Sequence, residues 1–139
     1  MADDAANWRA IPLEIFTEGR TDLIDEIFDE GYVEHLTVPG IPPTREGIHM
    51  FTNQLRTAFP DVRYEVVAQF QDGDTHIGHV RVTGTMTGPW GPMPATNKSA
   101  TWEEIHIGRF ANGKVVEHWG VLDQLGMLTQ LGFIPPMGG

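Results

Sequence analysis

Residues 101–132 read TWEEIHIGRFANGKVVEHWGVLDQLGMLTQLG: two long antiparallel strands, a tight turn at ANGK and a short closing helix. The segment holds more ionisable and aromatic residues than a plain core hairpin needs, so the functional site is expected here. Strand side chains alternate with period two. Trp102, Glu104, His106, Gly108 and Phe110 therefore share one face, and Glu103, Ile105, Ile107 and Arg109 the other. In the second strand Val116, His118, Gly120 and Leu122 oppose Val115, Glu117, Trp119 and Val121.

The turn decides which faces coincide. If Asn112-Gly113 is a two-residue primed turn, Ala111 faces Lys114 and His106 faces Trp119. If Ala111-Asn112-Gly113 is a three-residue loop with Gly113 left-handed in a bulge, Phe110 faces Lys114, His106 faces His118 and Glu104 faces Gly120. The second reading is preferred, because it gathers the polar residues on one face and leaves a mostly apolar or amphipathic row on the other. A one-residue slip would invert the faces.

Working back along the chain, VRYEVVAQFQ, a turn at Gly73 and HIGHVRVTGTMTG read as a second hairpin, followed by the Pro- and Gly-rich loop PWGPMPATNK. Trp90 and Met93 make that loop unusually apolar, suited to covering a cavity mouth or to a dimer contact. Before the hairpins the period is helical. Trp8, Ile11, Ile15 and Phe16 mark a helix over Asp4 to Thr17, kinked at Pro12 and stopped by Gly19. Thr21 caps a second helix, TDLIDEIFDEG, that buries Leu23, Ile24, Ile27 and Phe28 and ends at Gly31. GYVEHLTV is a short strand with Tyr32, Glu34 and Leu36 on one face and Val33 and His35 on the other. Thr44 caps a third helix, TREGIHMFTNQLRTAF, whose apolar stripe is Ile48, Phe51, Leu55 and Phe59 and which ends before Pro60.

Helices followed by long antiparallel strands predict an α+β fold: about three N-terminal helices packed on a strongly curved antiparallel sheet, a cone with an enclosed pocket. One domain is expected over residues 1–139, with a disordered tail at 137–139. Nineteen acidic against nine basic residues give a net charge of −10, which repels phosphate backbones and anionic membranes. No nucleic-acid or membrane partner is expected. The absence of cysteine removes disulfide and thiolate chemistry. MADDAANWRA has no apolar core and is not a signal peptide, and no apolar run approaches bilayer length. A cytoplasmic location is the expectation.

The order of elements, with TEGRTDLIDEIFDEGYVEH, AFPD at 58–61, GPMPATNK, EEIHIGRFANGKVVEHW and DQLGMLTQLG, resembles the SnoaL-like polyketide cyclases, or ester cyclases, of the nuclear transport factor 2-like superfamily. The resemblance spans nearly the whole chain. It implies a cone-shaped α+β barrel, often a homodimer, with a largely apolar pocket. It also implies intramolecular aldol ring closure without metal or organic cofactor, by an acid–base Asp supported by a His. His106 matches the supporting His and Glu104 stands where a Gln is found, while the acid–base Asp aligns with Gly120. Glu34 and His35 lie where such cyclases place a substrate-contacting polar residue.

In a dry pocket burial raises a Glu pKa and lowers a His pKa, so His106 and Glu104 are the leading candidates for a catalytic base. His118 is a second acid–base candidate or part of the pocket rim. Asp123 is either the N-cap of the last helix or a pocket acid replacing the one missing at Gly120. The aromatics Trp90, Trp102, Trp119 and Phe70 read as pocket walls and core, with Met93 beside them, and favour a flat or apolar small-molecule ligand. His79 is compatible with either face. Two His and a carboxylate suit several divalent ions, but the E-x-H spacing is weak, and no metal or other cofactor is expected. The leading function is a cofactor-independent cyclase acting on a polyketide-like or β-dicarbonyl compound. The alternatives are a non-catalytic binding protein of the same fold and a cofactor-free oxygenase or isomerase.

Overall fold

In the computed structural model, which describes residues 3–137, the Asp3 carboxylate accepts a hydrogen bond from the Ala6 amide at 3.1 Å and caps α1 (Asp4–Ala10). Proline has no N–H to donate and its ring crowds the preceding turn. The chain responds at Pro12 by widening into a π-helical turn, Ile11–Phe16, closed by the Thr17 amide on the Pro12 carbonyl at 3.2 Å. The expected second helix is much shorter than the sequence suggests. A 3₁₀ turn at Thr21–Leu23 leads into α2 (Ile24–Ile27), and Phe28 already begins β1 (Phe28–Glu34). Short helices depend on tertiary packing. Here the strand buries Phe28 and Tyr32 edge-to-face, with ring centres 4.9 Å apart, and Gly31 lies inside the strand rather than ending a helix.

Helix α3 (Arg45–Ala58) buries Ile48 and Leu55, as its stripe predicts. The rest is β2 (Arg63–Asp72), β3 (Thr75–Thr85), β4 (Ser99–Ala111), β5 (Lys114–Leu122) and α4 (Gln124–Leu131). The sheet order is β1-β5-β4-β3-β2. The last four strands form an antiparallel meander, and β1 joins its edge parallel to β5. The sheet stays open, and the helices lie on it in the cone-shaped α+β arrangement. Two buried clusters fill the space between. One is built around Trp8, Ile15, Phe28 and Phe110, the other around Leu55, Phe59, Val82 and Trp102, with Phe16 packed against both.

The β4–β5 hairpin corrects both registers drawn from the sequence. Asn112 and Gly113 have φ of 52° and 80°, and Ala111 faces Lys114, so the turn has two residues, not the preferred three. A bulge follows: Phe110 faces Val115 but Arg109 faces Glu117, leaving Val116 as the extra residue. Beyond it His106 faces Gly120 and Gly108 faces His118. The bulge restores the faces of the preferred reading, with Glu104, His106, His118 and Gly120 together, while moving the pairing along by two residues.

Gly108 and Gly78 make room for the Trp8 indole beneath the sheet. A Cβ at Gly108 would lie 2.5 Å from the Trp8 ring and one at Gly78 3.1 Å from its Nε1. Residues 138–139 of the expected tail lie outside the described residues, and Met137 is exposed. Among the described residues no helix is long and apolar enough to cross a membrane.

Candidate active site

A cavity of about 220 Å³ opens between the helices and the sheet, its wall drawn from both buried clusters. Most of the lining is aromatic or aliphatic, including Trp8, Phe16, Ile48, Phe51 and Val80; Glu34, Glu104, His106 and His118 also line it. These four form a line. Glu104 Oε1 lies 2.7 Å from His106 Nε2, His106 Nδ1 lies 2.8 Å from His118 Nε2, and His118 Nδ1 meets Glu34 Oε2 in a short hydrogen bond. Both ends are anchored. Trp102 Nε1–H donates to Glu104 Oε2 at 2.7 Å, the Tyr32 hydroxyl to Glu34 Oε1 at 2.7 Å, and the Leu36 amide to Glu34 Oε2 at 3.1 Å.

The strands explain the line. Glu104 and His106 are two residues apart on the inner face of β4, and His118 sits diagonally across from His106 on β5. Glu34 is paired directly with His118 across the parallel β1–β5 edge. Gly120 completes the arrangement: a Cβ there would lie 3.0 Å from His106 Nδ1, 3.2 Å from His118 Cε1 and 3.3 Å from Leu36 Cδ2. Gly120 thus leaves the sheet bare between the two imidazoles, which meet beside it.

Burial alone would raise the Glu34 carboxyl, but the His118 hydrogen bond and charge, with help from Tyr32 and the Leu36 amide, hold it below the ordinary 4.5. Burial is also the largest influence on His118 and lowers it from 6.5, against the pull of Glu34. Burial, then the charge of Glu34, keeps the Tyr32 phenol protonated. Three imidazole-containing links require three protons, whereas two neutral imidazoles between two carboxylates bring two. The line therefore has room for one further proton, flanked by two carboxylates that stabilise it.

The other expected site residues stand apart from this line. Asp123 is exposed at the N-cap of α4, its carboxylate accepting from the Gly126 amide at 2.9 Å. His35 lies on the outer face, 2.7 Å from Glu117, stacked on Trp119 with ring centres 4.8 Å apart. Trp119 is 37% exposed and Phe70 61%, so neither walls the cavity. Trp102 is buried in the core and serves Glu104. Trp90 and Met93 pair with each other across a short bridge, and Trp90 packs edge-on against Phe51, one layer behind the cavity wall. His79 also faces outward, 2.6 Å from Glu103. Among the described residues no group of three or more Asp, Glu and His is arranged to hold a metal ion.

Sequence reading gave no site role to Tyr32, Tyr64 or Trp8, all of which line the cavity. The signal for Tyr32 was its place on the same strand face as Glu34, two residues away.

The SnoaL-like polyketide cyclase family model matches residues 9–131. Nogalonic acid methyl ester cyclase of Streptomyces nogalater is 29% identical over 119 residues, covering 80% of this chain and 89% of that one. Among solved structures, TsrD of Streptomyces laurentii superposes with a TM-score of 0.82 at 21% identity, covering 93% of this chain and 97% of that one. IdmH of Streptomyces antibioticus gives 0.80 at 25% identity, covering 94% and 99%. The family match spans most of the chain and the fold agrees with it, so the chain belongs to the SnoaL-like polyketide cyclase family.

Proposed function

We propose that this single-domain protein is a cofactor-independent cyclase that closes a ring in a neutral polyketide-like ester by an intramolecular aldol step. The observation that carries the reading is the four-group line, one proton short, on the wall of an otherwise mostly apolar cavity. With two protons in the line, the facing nitrogens of His106 and His118 both present lone pairs and repel. One imidazole then turns to the ligand and removes the acidic proton between two carbonyls. The enolate carbon attacks a further carbonyl of the same molecule, forming the C–C bond, and the resulting alkoxide takes the proton back. Glu34 and Glu104 stabilise the transient imidazolium, and a base placed in this way contributes roughly 10²- to 10⁴-fold.

Among the described residues no Lys or Arg lines the cavity, whereas two carboxylates do. A free acid would meet unpaired like charge, and an ester would not. The name of the methyl ester cyclase relative agrees with that preference. A binding protein without turnover is the second reading, favoured by the engagement of all four imidazole nitrogens within the protein. A homodimer is part of the proposal. The outer sheet face exposes Ile105, Trp119 and Val121 beside the paired charges of Arg109 and Glu117.

Deuterium exchange at the α-carbon of methyl benzoylacetate in D₂O isolates the proton-abstraction step. The parent protein should accelerate exchange above the buffer rate, and His106→Ala should lose the acceleration. A parent no faster than buffer, or a variant as fast as the parent, would overturn the catalytic reading.

A further inference from the structure

Resting on that reading, we propose that Tyr64 is a further catalytic residue: its hydroxyl hydrogen-bonds the substrate carbonyl oxygen and remains bonded as that oxygen becomes the enolate oxygen. Tyr64 lies on the inner face of β2 and lines the same cavity as Glu104 and His106. Its row across the sheet runs Tyr64–Val82–Trp102, beside the row Val66–Val80–Glu104. The phenol thus approaches the cavity from the strand two removed from the one that carries His106.

Its placement is firm. The ring packs against Phe16 with centres 5.3 Å apart, and the Tyr64 amide donates to the Thr17 hydroxyl at 3.0 Å, tying β2 to the π-helical turn. Residue 64 is buried, 4% exposed. Of the other buried donors near Glu104 and His106, Tyr32 is committed to Glu34, Trp102 to Glu104, and the imidazoles to one another and to the two carboxylates, while Trp8 Nε1 packs against Gly78. Burial, and secondly the charge of Glu104, pushes the Tyr64 phenol well above its ordinary pKa, and no hydrogen bond contributes to that shift. It is a permanent donor that does not itself ionise.

The step balances without a further reagent. The α-proton passes to the His106–His118 pair, the C–H electrons move onto the carbonyl oxygen, and Tyr64 keeps its own proton while shortening its hydrogen bond. Such a donor acts on the charge that develops, so its effect belongs in turnover rather than in ground-state affinity.

Tyr64→Phe preserves the ring that packs on Phe16. With methyl benzoylacetate exchange as the readout, kcat should fall about 10²- to 10³-fold, the size seen when one oxyanion donor is removed, while KM stays within a few-fold. Tyr64→Phe exchanging at the parent rate, in a series where His106→Ala has lost the activity, would overturn the role of Tyr64 and leave the cyclase reading standing. Loss of the His106 dependence itself would instead remove the reading on which it rests. Site-specific 3-fluorotyrosine at position 64, which makes the hydroxyl a stronger donor without removing it, should raise kcat. An unchanged rate there would refute the proposal independently of any folding defect in the Phe variant.

Discussion

Glu34→Gln isolates the end of the proton line. Glu34 Oε2 accepts from both His118 Nδ1–H and the Leu36 amide, and Oε1 accepts from the Tyr32 hydroxyl. A Gln can place its amide oxygen at the first position and its NH₂ at the second, where the Tyr32 oxygen can accept. The variant therefore keeps its shape and loses the charge. Hydrogen bonds to a charged group contribute about 1.5–3 kcal/mol against about 0.5–1.5 for neutral pairs, so the variant should be about 1–2 kcal/mol less stable at pH 7. At this chain length that corresponds to a fall in Tm of roughly 3–10 °C.

The pH dependence follows from the sign. The folded pKa of Glu34 is held below 4.5, so its contribution is fully present above that value and is lost as pH falls through the folded pKa. Urea denaturation of both proteins from pH 7 to pH 3.5 should show a deficit that is full at pH 7 and pH 5 and shrinks below 4.5. A deficit absent at pH 7, or one undiminished at pH 3.5, would refute the electrostatic role assigned to Glu34.

His118 titrates below its ordinary 6.5 because it is buried, so folding loses stability as pH falls below 6.5, and His118→Gln should flatten that limb of the stability–pH curve. Gly108→Ala drives a methyl to within 2.5 Å of the rigid Trp8 ring and should cost about 1–3 kcal/mol by chemical denaturation. Asp123→Ala removes the α4 cap, which should cost about 1 kcal/mol while leaving α-carbon exchange at the parent rate. A lost exchange activity there would restore Asp123 to the chemistry.

The composition of each face of β4 and β5 was legible because alternation survives any even shift of register. The register itself was not, because the bulge at Val116 arises from a pairing mismatch between two strands and leaves no mark on either one. The helix expected over 21–31 failed for a similar reason: Phe28 and Tyr32 suit a helical stripe locally, but the parallel edge of β5 offers them a strand. That pairing also brings Glu34, 84 residues away in sequence, to His118. Glu34 was singled out as a substrate contact, and its role in the proton line emerges only with the parallel edge. His106 and Glu104 were readable from E-x-H on an inward face, since two residues on one strand need no tertiary information. His35 and Trp119 alternate with the inward residues and face outward, so their separation from the cavity follows from the same period.

Incubation of the parent and His106→Ala with a panel of polyketide-like β-keto methyl esters, with native mass spectrometry for binding and chromatographic product analysis, tests the acid–base line most directly. Both proteins should retain ligand, while cyclised product should form with the parent alone. Equal retention with no product from either would contradict catalysis by the line and make the cavity a binding cone. Equal product from both would place the chemistry elsewhere in the molecule.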